Sequence, residues 1–137
     1  MTEVERIARG LIDRTLPKDE WTHQAHLRAG LWHVIEHGPI VALELLRARI
    51  SSYNESVGTA NTDTSSYHET ITRFYVIVID RFLTKADRTL GLDALAAQLI
   101  DAHGDRRLPL HHYSESRLFS PVARRSWVEP DLRPISK

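Results

Sequence analysis

The chain has 137 residues, with 18 Lys and Arg balancing 18 Asp and Glu, and it contains no cysteine. That length fits one domain, residues 1–137, able to bury a real core, and a balanced charge offers no summed field to draw the chain toward nucleic acid or an anionic membrane. Without cysteine neither a disulfide nor a thiolate zinc site can form, which leaves His, Asp and Glu as the strong protein ligands for a metal.

Val4, Ile7, Ala8, Leu11 and Ile12 recur at helical spacing, so residues 2–15 are expected to form an amphipathic helix, with Glu3 and Glu5 placed to complement its dipole. Residues 1–14 lack the apolar run of a signal peptide, and no later stretch approaches the roughly 20 apolar residues of a spanning helix. A cytoplasmic protein is therefore the expectation. Leu16-Pro17 ends the first helix, because proline lacks an amide donor and pushes the preceding residue out of helical geometry.

A second helix is expected from the N-cap Thr22 to His37, where Gly38-Pro39 stops it. On a wheel of about 100° per residue, His23, His26, Gly30, His33 and His37 fall in a sector of roughly 80° beside Leu27, Leu31, Val34 and Ile35. At about 1.5 Å per residue His26 and His37 stand roughly 16 Å apart, so the stripe holds no single site. Gly30 removes a side chain from it, which either admits a neighbouring helix or leaves room for a ligand.

Ile40, Leu43, Leu46 and Ile50 mark a third helix from Pro39 to residues 55–57, followed by a polar loop over residues 58–65 that is placed to cover a site. Ser66-x-x-Glu69 has the pattern of a capping box and puts Tyr67 and His68 in the first turn of a fourth helix, whose core stripe is Tyr67, Ile71, Phe74, Val78 and Phe82. A shorter fifth helix runs from Leu92 to Ala102. Four prolines among residues 109–134 then predict an irregular tail with one short helix over Glu115 to Arg125, strapped on by Leu118, Phe119, Trp127 and Val128. The fold expected is all-α: a bundle of four main helices, a shorter fifth and an irregular C-terminal tail. Its core is drawn from Leu27, Leu31, Leu46, Ile50, Ile71, Phe74, Val78, Phe82, Leu95 and Leu99.

The chemistry centres on Trp21-Thr22-His23-Gln24-Ala25-His26-Leu27. Two imidazoles three residues apart share a helix face, and His68 opens another helix, so His23, His26 and His68 would make a three-nitrogen metal site with positions open to water or substrate. Zn or Fe suits such a set. Beside it Tyr67 and Glu69 are the candidate catalytic groups, Glu69 as general base on a metal-bound water, although the capping box already employs its carboxylate. The site also demands that the second and fourth helices run in the same direction, so that both histidine clusters lie at one end. His33 and His37 read as surface imidazoles, and His111-His112 as part of a solvated loop. Arg117, Arg124 and Arg125 read as a solvated face. No Gly-rich strand-to-helix turn points to a nucleotide cofactor, and no serine elbow to nucleophilic catalysis.

These stretches together carry a resemblance. Trp21-Thr22-His23-x-x-His26-Leu27, Tyr53-Asn54, Gly58-Thr59-Ala60-Asn61-Thr62, Tyr67-His68-Glu69-Thr70-Ile71-Thr72, Leu118-Phe119-Ser120-Pro121 and Trp127-Val128-Glu129-Pro130-Asp131-Leu132 resemble a family of small uncharacterised bacterial helical proteins. The resemblance implies no reaction. A compact helical bundle with three histidines is also similar to the DinB-like metalloproteins, although their His-x-x-x-His spacing is missing at His68. The functional expectation is a small metal-binding protein, a hydrolase or lyase acting on a small molecule. The alternatives are a small-ligand binding module, with its cavity beside Gly30, and an interaction bundle without chemistry.

Overall fold

The computed structural model describes residues 1–135. It is an all-α bundle built from α1 (Glu3–Asp13), α2 (His23–Ser56), α3 (Glu69–Lys85) and α4 (Leu92–His103), with a tail carrying α5 (Glu115–Leu118) and α6 (Pro121–Arg125). Single 3₁₀ turns at Lys18–Glu20 and Leu108–His111 connect them. Among the described residues no helix is long and apolar enough to cross a membrane.

Local chemistry sets the ends of α1. Thr2 Oγ1 accepts from the Glu5 amide at 3.0 Å, while the Thr2 amide donates to Glu5 Oε1 at 3.0 Å, which satisfies two donors that a helix start leaves open. The Asp93 carboxylate, at the start of α4, accepts from the Glu3 and Val4 amides at 3.0 and 2.9 Å and so ties those two helix starts together.

α2 is helical along its length except at Gly38, whose φ of 77° and ψ of 166° belong to a region that essentially only glycine enters. Pro39 follows, and the helix doubles back there. At the far end of the resulting hairpin the Trp21 and Tyr53 rings meet at 5.5 Å, and nearer the bend Arg49 Nη1 donates to His33 Nε2 at 2.9 Å. The arm before Gly38 and the arm after it correspond to the second and third helices expected. α3 lies against both. His23 meets Tyr75 at 5.5 Å and Gly30 faces Ile79, so α3 runs parallel to the first arm of α2, the direction the site reading required.

Two local expectations are corrected. Ser66 does not cap α3, because its backbone is left-handed at φ 76°; the N-cap is His68, whose Nδ1 accepts from the Ile71 amide at 3.1 Å. The tail forms two short helices in place of one, each with its own serine cap, Ser114 and Ser120.

The main core joins Val4, Leu11, Leu27, Leu31, Leu46, Ile79 and Leu99, and a second cluster of Phe74, Val78, Tyr113 and Leu118 fastens the tail to the outer face of α3. Ile71 and Phe82 are only partly buried, and Phe119 is 54% exposed where Leu118 beside it makes the anchor.

Candidate functional site

Between the arms of α2 and α3 lies a cavity of about 330 Å³, at the small end of ligand-pocket sizes. Gly30 is part of its lining. Both readings of that residue hold together: a Cβ there would stand 2.9 Å from Ile79 Cδ1, and the space beside it opens into the cavity. Leu27, Leu46, Ile50, Ile71, Val76 and Ile79 make the apolar walls. Polar groups come from His23, His26, Thr72, Tyr75 and Arg106.

The polar end is built by the first turn of α2 and by the turn after α4. The Thr22 cap holds the Ala25 amide at 3.1 Å and starts the helix, so His23 and His26 are one turn apart. His26 Nδ1–H donates to the Thr22 carbonyl at 2.7 Å and its ring stacks on Trp21 at 3.8 Å. A carbonyl only accepts, so Nδ1 carries the proton and Nε2 keeps a free lone pair. The surrounding atoms desolvate the ring and hold its pKa below the ordinary imidazole range; the outer edge remains exposed to solvent. His23 is shifted the same way, first by burial and then by the charge of Arg106, against the Gly104 carbonyl and Asp105. Its Nε2 is buried with no hydrogen-bond partner. Such a group costs about 1–3 kcal/mol unless something pairs with it. The Tyr75 hydroxyl donates to the Asp105 carbonyl at 3.4 Å, which ties α3 to the turn that carries Arg106. Arg106 is exposed and makes no ion pair among the described residues.

His23, His26 and His68 do not assemble as a metal set here. The starts of α2 and α3 do lie at one end, and the residues after the cap, Ile71 and Thr72, reach the cavity. As the N-cap, however, His68 turns its ring back: Nδ1 accepts from Ile71 and Nε2–H donates to the Leu118 carbonyl at 2.7 Å, on the side of the tail. Both nitrogens are occupied, and burial lowers its pKa. Among the described residues no group of three His, Asp or Glu is placed to hold a metal.

Tyr67 and Glu69 sit together but as a closed arrangement. Arg47 Nε and Nη2 donate to the two Glu69 oxygens at 2.9 and 2.6 Å, and the Tyr67 hydroxyl donates to Oε1 at 2.7 Å. Burial works to raise the Glu69 pKa, yet the bonds from Arg47 and Tyr67 outweigh it and hold the carboxylate below its ordinary value. Glu69 is thus not half of a capping box: three hydrogen bonds from Arg47 and Tyr67 occupy its carboxylate. It is an ion-pair partner that joins the second arm of α2 to α3.

His33 corrects another expectation: it is fully buried, with Nδ1–H donating to the Ala29 carbonyl at 2.7 Å, whereas His37 is exposed as expected. His111 is exposed, and His112 is half-buried with Nδ1–H donating to the tail carbonyls of Arg133 and Pro134 at 3.1 and 3.2 Å.

Thr72, Tyr75 and Arg106 had not been singled out. The first two share the stripe Ile71, Thr72, Tyr75, Val76, Ile79, spaced three and four apart, so the face that α3 turns toward α2 was there to be read. Arg106 carried no such signal, since it belongs to a turn.

No protein-family model, no curated protein and no solved structure matches the chain.

Proposed function

We propose that the protein is a binding module for a small, largely apolar molecule, held in the cavity beside Gly30. The observation that carries the reading is a mostly apolar cavity whose one polar end includes a buried imidazole nitrogen without a partner. Apolar space of this kind gains about 25 cal/mol for each Å² of ligand and wall surface taken from water, and cavities lined by Leu and Ile take up apolar guests readily. We prefer it to the metal-dependent hydrolase or lyase because His68 and Glu69 have other partners.

The test is a titration with a neutral environment-sensitive dye such as Nile red, followed by dye emission and by Trp21, whose ring stacks on His26 at the polar end. Saturable binding at about one dye per chain is expected. Gly30→Leu, which drives a side chain into the cavity, should abolish it while leaving the helical circular dichroism intact. Gly30→Ala provides a milder version, since the atom it meets is the far end of the Ile79 side chain. Undiminished dye binding in Gly30→Leu overturns the reading.

A further inference from the structure

We propose that the ligand of this cavity is an amphipathic monocarboxylic acid of medium chain length, its carboxylate at Arg106 and His23 and its apolar body lying along α2 toward Gly30. The inference rests on the binding-module reading and deepens it. Three observations carry it.

The first is charge. Arg106 is the one lining residue with a permanent charge, and no acidic side chain lines the cavity. It is without an ion-pair partner among the described residues. The carboxylate beside it in sequence, Asp105, has its Oδ1 engaged by the Arg107 amide at 2.9 Å. A guanidinium offers a planar fork of donors suited to a carboxylate.

The second is the unpaired His23 Nε2 at the same end. An anion drawn to Arg106 brings acceptor oxygens next to an imidazole whose Nε2 has no hydrogen-bond partner, and a proton on that nitrogen would then be stabilised by the negative charge. An ammonium head would gain nothing there, facing both Arg106 and a ring already disfavoured as a cation.

The third is shape. From His23 to Gly30 the helix rises about 10 Å, and over that length the walls change from His23, Tyr75 and Arg106 to Leu27, Gly30 and Ile79. A molecule with one polar end and a hydrocarbon body of that length matches the gradient; a uniformly polar metabolite does not.

The experiment compares octanoate, octanol and octylamine as competitors for the dye, on the wild-type protein and on Arg106→Gln, Arg106→Lys and Lys85→Gln. Octanoate should bind roughly ten times more tightly than octanol, the low end for a charge-assisted bond at a partly solvated site. Arg106→Gln should bring the two within about threefold, Arg106→Lys should keep part of the preference, and Lys85→Gln, which lies at a different surface cavity, should leave it unchanged. Equal binding of octanoate and octanol by the wild type overturns the head-group inference and leaves the cavity reading standing. A preference for octylamine does the same. Failure of the dye and of all three competitors to bind overturns both.

Discussion

His33 and Arg49 meet across the bend of α2: Arg49 Nη1 donates to His33 Nε2 at 2.9 Å while His33 Nδ1–H donates to the Ala29 carbonyl at 2.7 Å. Each ring nitrogen therefore has one role, and only the neutral ring can fill both. Burial first, and the Arg49 charge with it, depress the His33 pKa from 6.5 to about 4, against the Ala29 carbonyl, which raises it. A protonated ring would have to face Arg49 as a second cation and would lose the bond.

The pH dependence of stability follows. The unfolded chain takes up a proton on this residue near pH 6.5 and the folded protein only near 4, so the unfolded state binds more protons in between and stability falls as pH falls through that window. The full effect is roughly 3 kcal/mol. His23, His26 and His68 are shifted in the same direction and add to it. Urea midpoints at pH 7.5 and 5 should show the loss in the wild-type protein and a smaller one in His33→Gln. Identical losses in the two would reject the assignment.

The bend itself depends on a single backbone geometry. At φ 77° and ψ 166° a side chain is strained whatever space surrounds it, and the space around Gly38 is open. Gly38→Ala should thus cost about 1–3 kcal/mol from strain alone, with no steric clash to add. Chemical denaturation measures it; a neutral or stabilising change would mean that the hairpin reverses in another way.

The helices, their prolines and their directions were legible because each is written in local spacing: Leu27, Leu31 and Leu46 at helical intervals, Gly38-Pro39 at the bend, Thr22 at a cap. What the sequence did not disclose are the pairings that cross the chain. Ser66-x-x-Glu69 satisfies a capping pattern, yet Arg124 Nη1 donates to the Ser66 and Tyr67 carbonyls at 2.9 and 3.3 Å, and the cap moves two residues on to His68. Glu69 read as a capping-box partner, or as a general base, because Arg47, which actually holds its carboxylate, lies 22 residues upstream. His33 sits on the same wheel stripe as His37, and only the returning arm, through Arg49, distinguishes the buried ring from the exposed one. The cavity beside Gly30 was half visible: the missing side chain is local, whereas the residue that gives it a charged end comes from a distant turn.

His68 offers a direct comparison of a structural role with a metal-binding one. His68→Ala removes the cap of α3 and the tie to Leu118, and should cost about 2 kcal/mol in all. His68→Asn restores a capping oxygen without the tie and should recover about half. Added Zn(II) or Fe(II) should leave the unfolding temperatures of the wild-type protein and both variants where they were. A rise of several degrees in the wild type that His26→Ala and His68→Ala each abolish would reinstate the three-histidine site.

Ligand binding should also report the state of His23. In the free protein burial and Arg106 lower the pKa of the ring, with the Gly104 carbonyl and Asp105 opposing them; Tyr75 from α3 and His26 from the same helix turn are the other titratable groups beside it. A bound carboxylate raises the pKa of an adjacent imidazole, so the complex binds a proton more readily than the free protein does. By linkage, affinity for octanoate should rise as pH falls from 8 toward 6, where the acid itself is still ionised, and affinity for octanol should stay flat over the same range. His26 is exposed at the mouth and shares the direction of shift, so the assignment needs a variant. His23→Gln should flatten the octanoate profile, whereas His26→Gln should leave most of the slope. Isothermal titration in two buffers of different ionisation enthalpy gives the proton uptake directly. A profile that is flat in the wild type, or that survives intact in His23→Gln, would remove His23 from the head-group site and leave Arg106 as its only cation.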